Sequence, residues 1–216
     1  MMGIAKYIDH TLLKPEAKRE DIDRLIEECK KYKFYGCCVN PYWVKYVSDL
    51  LANEPTFVCS VVGFPLGASK TQIKVEEAVR AVEDGAEEID MVMNIGAFKD
   101  KDYKYVEREI KEMKKEIEDK ILKVIIETPL LTSEEIKVAA KLCINAGADF
   151  VKTCTGFGKR GVTEEDVKLI REAIGTRGKI KASGGIRTFE FAKKLIELGA
   201  ERLGTSAGVQ IVEQEK

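Results

Sequence analysis

The sequence predicts an α/β protein with the (β/α)8 TIM-barrel architecture. Short segments rich in Val, Ile and aromatic residues alternate with segments of helical apolar periodicity along the whole chain. Buried parallel strands and the helices that cover them have this character, and a repeat of roughly 25 to 30 residues fits eight units into 216 residues. The predicted strands span residues 8–12, 37–40, 57–62, 89–94, 122–127, 150–154, 179–183 and 202–206.

Helix boundaries between the strands follow from local signals. Thr132 and Thr163 are each followed three residues later by a carboxylate, a pattern that satisfies the free amides at a helix start. Glycine ends three of the predicted helices before the next strand, at Gly85, Gly147 and Gly199. No Pro/Gly/Ser-rich linker interrupts the alternation, so residues 1–216 are predicted to form one domain. A doubly wound open sheet is the alternative fold.

Composition argues for a small-molecule ligand in the cytoplasm. The 36 basic and 37 acidic residues leave a net charge of −1, which gives no overall field for nucleic acid or an anionic membrane. Residues 1–13 contain no signal-peptide-like apolar stretch, and no run approaches the roughly 20 apolar residues of a spanning helix. The six cysteines form no C-x-x-C pair and are interpreted as buried thiols.

Two lysines lie inside otherwise apolar strands, Lys152 in the sixth and Lys181 in the seventh. Side chains alternate along a strand, and the layer beneath the helices must be apolar, so both lysines are predicted to point into the barrel. Burial and a second nearby cation favour the neutral amine, which is a nucleophile for carbonyl carbon. This pattern predicts a Schiff-base centre.

The same alternation turns further polar residues inward. They are Asp9, Thr11, Asp90, Asn94 and Glu127. Ionisable groups clustered in one confined volume are typical of catalytic sites, because each unmatched buried charge is costly. Two other interpretations remain open: Lys152 forms a purely structural ion pair with Asp90 or Glu127, or either lysine binds phosphate.

Two glycine-containing loops follow the seventh and eighth strands. Gly184 and Gly185 are in the first, and Gly204 and Ser206 are in the second. Phosphate sites of this fold often use these loops, whose backbone amides form an anion cradle; a simple tight turn is the alternative. Nearby basic side chains either add charge at this site or are solvated loop residues: Lys159, Arg160 and Arg187.

His10 is the only histidine in the sequence. A zinc-dependent aldolase would be expected to use several histidine ligands, so zinc is not expected. His10 has helix-facing parity and is predicted to be structural.

Six blocks of sequence, in order, resemble the deoxyribose-phosphate aldolase family of class I aldolases over almost the full chain. They are IDHTLLKP (8–15), VGFPLGA (62–68), EIDMVMNIGA (88–97), KVIIET (123–128), VKTCTGF (151–157) and KASGGIRT (181–188). By this resemblance Lys152 matches the Schiff-base lysine, Lys181 the neighbouring lysine whose charge favours the neutral amine of Lys152, and Asp90 the carboxylate that handles protons.

The resemblance also assigns the remaining site residues and the reaction. Expected substrate-binding residues are Asp9, Thr11, Thr155, Gly184, Gly185, Gly204 and Ser206. The implied reaction is reversible cleavage of 2-deoxy-D-ribose 5-phosphate to D-glyceraldehyde 3-phosphate and acetaldehyde by a homo-oligomer, with no metal or cofactor required. Cys154, Pro129 and the basic loop 158–161 depart from the family pattern. The alternatives are another phosphate-binding barrel enzyme, namely a sugar-phosphate isomerase or a different Schiff-base aldolase, and a non-catalytic phospho-ligand binder.

Overall fold

The computed structural model describes residues 3–215, and within them eight parallel strands close into one barrel. Each strand pairs with its neighbours in sequence, and β1 pairs with β8, where Asp9 is opposite Gly204. This closure confirms the predicted TIM barrel and excludes the open sheet. The strands are β1 Ile8–Leu12, β2 Gly36–Val39, β3 Phe57–Val62, β4 Glu88–Val92, β5 Ile121–Ile125, β6 Phe150–Lys152, β7 Lys179–Ser183 and β8 Arg202–Thr205.

Helices follow the strands and cover the outside of the barrel. They are α1 Arg19–Tyr32, α2 Val44–Leu51, α3 Thr71–Glu83, α4 Ile95–Lys99, α5 Tyr103–Glu116, α6 Ser133–Asn145, α7 Glu164–Ile174, α8 Phe189–Glu197 and α9 Gly208–Glu213. Short 3₁₀ turns occupy Ile4–Tyr7, Pro41–Trp43 and Thr128–Leu130. Among the helices of residues 3–215, none is both long enough and apolar enough to cross a bilayer.

The predicted helix signals act as expected. Thr132 and Thr163 cap α6 and α7, and in each case the side chain three residues later accepts a hydrogen bond from the capping residue's own backbone amide. The glycines that end α3, α6 and α8 have φ values of 104°, 101° and 105°. Such left-handed geometry strains any residue with a Cβ atom, so glycine ends these helices.

Two layers of side chains are separated by the wall of the barrel. Outward-facing strand residues such as Met91, Val151 and Ile180 pack against the helices in one large apolar core. Inside the barrel, a small separate apolar cluster consists of Leu13, Cys38, Cys59 and Val61, with Phe64 against it. Val92, Ile125 and Phe150 also have inward parity and are buried, and the charged side chains lie among them.

Candidate active site

Seven charged side chains meet inside the barrel. They are Asp9, Glu88, Asp90, Lys123, Lys152, Lys181 and Arg202. Strand register brings them together: Lys152 is opposite Lys181, which is opposite Arg202, and Asp90 is opposite Lys123. Residues opposite each other on adjacent strands point to the same side of the sheet, so both sets of side chains point into the interior.

Asp90 is the centre of this cluster. Lys152 Nζ donates to Asp90 Oδ2 at 2.6 Å, and Lys181 Nζ donates to the same oxygen at 2.8 Å. The other oxygen, Oδ1, accepts from Lys123 Nζ at 2.8 Å and from Cys59 Sγ at 3.2 Å. Asp90 is therefore a fully paired carboxylate that orients two lysine amines around one atom.

A second row of ion pairs lies beside Asp90. Arg202 Nη1 donates to Asp9 Oδ1 and to Glu88 Oε2, both at 2.9 Å. Lys123 Nζ lies 2.6 Å from Glu88 Oε2, and Lys181 forms a second ion pair with Asp9. The Arg202 guanidinium also stacks over the Tyr35 ring. Each buried charge in this row consequently has at least one opposite charge in contact.

The ion pairs set the protonation of the buried groups. Burial alone would raise the pKa of Asp9, but the charges of Lys181 and Arg202 outweigh it and lower the pKa to about 2. Burial opposes ionisation of Asp90 in the same way, yet the charges of Lys123, Lys152 and Lys181 hold its pKa well below the usual range. Both carboxylates are ionised at neutral pH.

Lys181 differs from the general expectation for a buried lysine. Burial lowers the pKa of an ammonium group, but the carboxylates of Asp9 and Asp90 outweigh this effect, so the pKa of Lys181 is raised above its ordinary value. Lys123 shows the same balance, with its pKa raised well above the ordinary value against desolvation, chiefly by Asp90. Both lysines are permanent cations at neutral pH.

Sequence reasoning missed Glu88, Lys123 and Arg202. Strand alternation contained the signal, because Glu88 has the parity of Asp90 and Lys123 has the parity of Glu127. Glu127 and Asn94, in contrast, do not join the cluster. Glu127 Oε2 accepts from the Thr155 amide at 3.2 Å, and Asn94 caps α4 by accepting from the Ala97 amide.

A cavity of about 360 Å³ opens above the cluster at the carboxyl ends of the strands. Six predicted substrate-binding residues line it together with Lys152, namely Thr11, Thr155, Gly184, Gly185, Gly204 and Ser206. Lys14 and Phe157 also line it and were not predicted to do so, and Arg187, one of the three basic residues considered for this site, lines it as well. The cavity therefore joins the predicted Schiff-base lysine to the predicted phosphate loops.

Asp9, also predicted to bind substrate, is not among the residues that line this cavity. Its side chain is fully buried and both oxygens are engaged, by Lys181 and by Arg202. Asp90 and Lys181 are also fully buried beneath the cavity floor, where Lys152 is 3% exposed.

The two glycine loops differ in why they need glycine. Gly184 has φ of 93°, and a Cβ atom there would lie 2.7 Å from Cys154 Sγ. A Cβ atom at Gly204 would lie 3.0 Å from Ser183 Cβ and 3.1 Å from Lys181 Cε. Gly204 thus leaves room for the Lys181 side chain as well as for a ligand in the cavity.

The basic residues that follow β6 and β7 differ in their contacts. Arg160 donates to both oxygens of Asp166, at 2.6 and 3.0 Å, and to the Thr128 carbonyl oxygen at 3.3 Å. It therefore joins the loop after β6 to the start of α7. Lys159 is exposed, and Arg187 is exposed on the cavity wall. Of the three basic residues, Arg187 is the one placed to meet a ligand in the cavity.

The lone histidine and the cysteines are structural, as predicted. His10 Nε2 lies 2.6 Å from Glu28 Oε2, on the helix-facing side of β1. All six cysteines are free and buried. Cys38, Cys59 and Asp90 are close enough to share a metal ion, but Lys123 Nζ already contacts Cys59 Sγ at 3.4 Å as well as Asp90. A divalent cation would have to displace that ammonium, so these residues do not fit a metal.

Comparison with known proteins gives one consistent relationship. A family model described as DeoC/LacD family aldolase matches residues 4–214. The deoxyribose-phosphate aldolase of Mycoplasmopsis pulmonis is 53% identical over 215 residues, which cover 100% of this chain and 98% of that protein. The solved structure of an aldolase called QR15 has a TM-score of 0.96 and 48% identity, with 100% and 96% of the two chains covered.

A tetrameric relative has also been solved. The structure described as the unique tetrameric structure of deoxyribose phosphate aldolase from Aeropyrum pernix has a TM-score of 0.91 and 33% identity. It covers 97% of this chain and 89% of the Aeropyrum chain. The chain is thus similar to aldolases over its full length, in sequence and in fold.

Proposed function

The chain belongs to the DeoC/LacD family of aldolases, and from that premise we propose which of its residues carry the reaction. The protein is an aldehyde-lyase that cleaves 2-deoxy-D-ribose 5-phosphate reversibly to D-glyceraldehyde 3-phosphate and acetaldehyde through a lysine Schiff base. The proposal concerns the Schiff-base lysine, the groups that move protons and the groups that bind phosphate.

Lys152 is the proposed Schiff-base lysine. The observation that carries this assignment is its position at the boundary between the charged cluster and the cavity. Lys152 lines the cavity, whereas its hydrogen-bond partner Asp90 is fully buried beneath it. An amine in this position meets the substrate carbonyl from one side and the carboxylate from the other, as nucleophilic catalysis requires.

The chemistry follows from a neutral amine at this point. Lys152 Nζ adds to the aldehyde carbon C1 of the open-chain sugar, and loss of water leaves an iminium. The positive nitrogen withdraws electrons, so the C2–C3 bond breaks as the C3 hydroxyl loses its proton, which releases glyceraldehyde 3-phosphate. The remaining enamine gains a proton at C2, and hydrolysis releases acetaldehyde and regenerates the amine.

Asp90 and Lys181 are the proposed proton-handling pair. Asp90 Oδ2 lies 2.6 Å from the Lys152 amine, within direct proton-transfer distance. Lys181 bonds to the same oxygen, and as a permanent cation it holds the Asp90 carboxylate in orientation beside the Lys152 amine. The conversion of amine to carbinolamine and then to iminium needs a group that accepts and a group that returns protons at this nitrogen.

Phosphate is proposed to bind at the far end of the cavity. Gly184 and Gly185 line the cavity and both have positive φ, a backbone conformation found where successive amides form an anion cradle. Ser206 contributes an exposed hydroxyl, and Arg187 adds a positive charge on the same wall. The loops after β7 and β8 are where this fold commonly holds phosphate.

A homo-oligomer in the cytoplasm completes the proposal. The Aeropyrum relative is described as a tetramer, and 97% of this chain aligns with it. The six free, buried cysteines are compatible with the reducing conditions of that compartment. A sugar-phosphate isomerase or a phospho-ligand binder would not require the amine of Lys152, and the relatives described above are aldolases.

The proposal is tested by the release of glyceraldehyde 3-phosphate from 2-deoxy-D-ribose 5-phosphate. Lys152→Met should reduce turnover by about a thousandfold or more, since the nucleophile is gone. Lys179→Met is the matched control, because Lys179 is an exposed lysine at the opposite end of β7 from the cavity. Full activity in Lys152→Met, with Lys179→Met also active, would contradict the assignment.

A further inference from the structure

Four basic side chains face three carboxylates in the buried cluster. The basic groups are Lys123, Lys152, Lys181 and Arg202, and the carboxylates are Asp9, Glu88 and Asp90. With all seven groups ionised, the cluster would carry one unbalanced positive charge among side chains that are at most 5% exposed. An unmatched buried charge is costly, so loss of one proton from a basic group relieves that cost.

Lys152 is the basic group best placed to lose that proton. Among the described residues it has one carboxylate, Asp90, within ion-pair distance. Lys181 and Arg202 each contact two carboxylates, and Lys123 lies within 4.0 Å of three. Of these four, Lys152 alone lines the cavity, where a proton can leave.

We propose that Glu88, Lys123 and Arg202 are positioning residues of the aldolase, which fix the charge of the sealed cluster so that Lys152 is the base left without its proton. The inference deepens the proposed function and rests on Lys152 being the Schiff-base lysine. None of the three touches the substrate. They act through Asp9 and Asp90. These two carboxylates pair with Lys123, Lys181 and Arg202, and Lys152 has the fewest carboxylate partners of the four basic groups.

Other titratable groups face the cluster from the remaining strands. Cys59 on β3 stays a neutral thiol, since burial raises its pKa well above the ordinary value. A hydrogen bond with Cys59 lowers the pKa of Cys38 on β2, so a Cys38 thiolate is the competing source of the balancing negative charge. Glu127, after β5, bonds to the Thr155 amide and is in no ion pair among the described residues.

Two near-isosteric variants change the charge balance in opposite directions. Lys123→Met removes a cation, so Lys152 must stay protonated to balance three carboxylates. Glu88→Gln removes a carboxylate, so the cluster disfavours a proton on Lys152 more strongly. The measurement is the pH midpoint of imine formation, followed as the rate at which acetaldehyde with sodium borohydride inactivates each variant.

We expect the midpoint to rise by about one pH unit in Lys123→Met and to fall by about one in Glu88→Gln. Thermal unfolding identifies any variant that does not fold. If Lys123→Met does not fold, Arg202→Met replaces it as the variant that lacks a cation. If neither folds, the shift in Glu88→Gln decides. Arg202→Lys keeps the positive charge and should keep the wild-type midpoint. Glu127→Gln changes a carboxylate outside the cluster and should keep it as well.

Opposite shifts support the inference, whereas unchanged midpoints or shifts in the same direction overturn it. Cys38→Ser separates the competing source of charge: an unchanged midpoint supports Lys152 as the proton-poor group, and a marked shift overturns it in favour of the thiolate. Failure of the proposed function is distinguishable, because then wild-type protein would form no imine at Lys152 at any pH.

Discussion

Lys152 and Lys181 donate to the same oxygen atom of Asp90 from neighbouring strands, at 2.6 and 2.8 Å. The two lysines have different surroundings despite this shared partner. Lys181 also pairs with Asp9 and is fully buried, whereas Lys152 reaches the cavity. One lysine is therefore a fixed cation and the other is available for covalent chemistry.

Replacing Lys181 by leucine should shift activity to higher pH. In Lys181→Leu, three cations balance three carboxylates, so Lys152 is held protonated and activity near neutral pH falls severely. Part of the activity should return as the pH rises and Lys152 loses its proton. The measurement is kcat/KM against pH for 2-deoxy-D-ribose 5-phosphate.

Lys179→Leu is the control for the same strand, because Lys179 is exposed at its other end. Its pH profile should match that of the wild type. A Lys181→Leu profile of wild-type shape, whatever its height, would mean that Lys181 has no electrostatic role.

A negative charge at Ser206 should weaken binding of phosphorylated sugar specifically. Ser206 is exposed on the cavity wall near Gly184 and Gly185. Ser206→Asp places a carboxylate near the proposed phosphate position, and like-charge repulsion of about 1 to 2 kcal/mol should raise KM about tenfold. Steady-state kinetics with 2-deoxyribose 5-phosphate and with unphosphorylated 2-deoxyribose measure the difference.

Ser206→Asn has nearly the same shape as the aspartate variant and no charge. It should leave KM for the phosphorylated sugar within a few-fold of the wild type. If Ser206→Asp affected both substrates equally, the loop would support the barrel without binding phosphate.

The sequence was sufficient to predict the fold because the signals were local. Apolar segments of strand length, capping by Thr132 and Thr163, and glycine after three helices each required only neighbouring residues. Strand alternation then oriented Lys152, Lys181 and Asp90 correctly, since a parallel barrel has one apolar outer layer.

The pairing inside the barrel could not be predicted from the same signals. Alternation indicates that a side chain points inward, but the height at which it meets its neighbours depends on strand register across the closed barrel. Asp9 has inward parity, but that parity alone does not indicate that its carboxylate pairs with Lys181 and Arg202. Glu127 also has inward parity, but it follows the end of β5 and accepts a hydrogen bond from the Thr155 amide instead of joining the charged cluster.

A separate buried ion pair supports the loops after β3 and β4, and its loss should be asymmetric. Lys74 Nζ lies 2.9 Å from Glu109 Oε1 and donates to the Val92 carbonyl oxygen at 2.8 Å, and both side chains are fully buried. Burial lowers the pKa of Lys74 and raises that of Glu109, so both charges are held at a cost. Lys74→Met should lower the free energy of unfolding by about 3 to 5 kcal/mol, because it leaves Glu109 unpaired.

The double variant Lys74→Met/Glu109→Leu should be less destabilised than Lys74→Met alone, because no buried charge remains. Urea unfolding of the wild type, both single variants and the double variant gives the coupling. Strictly additive losses would show that the two charges do not stabilise each other.

Acid should remove stability through Asp9. The folded pKa of about 2 is below the ordinary value of 3.8, so the stabilisation is fully present above pH 4 and is lost as the pH falls through 2. This shift corresponds to about 2 kcal/mol. Asp9→Asn should be less stable than the wild type at neutral pH but lose less stability between pH 4 and 2, as measured by urea unfolding. Equal losses in both proteins would refute the contribution.

The most direct test of the central claim is to locate the covalent intermediate. Wild-type protein treated with acetaldehyde and sodium borohydride should carry one added ethyl group, which peptide mass mapping should place on Lys152. Lys152→Met under the same conditions, and wild type given borohydride alone, should remain unmodified. An ethyl group on a different lysine, or no modification of active wild-type protein, would contradict the assignment of Lys152 as the Schiff-base residue.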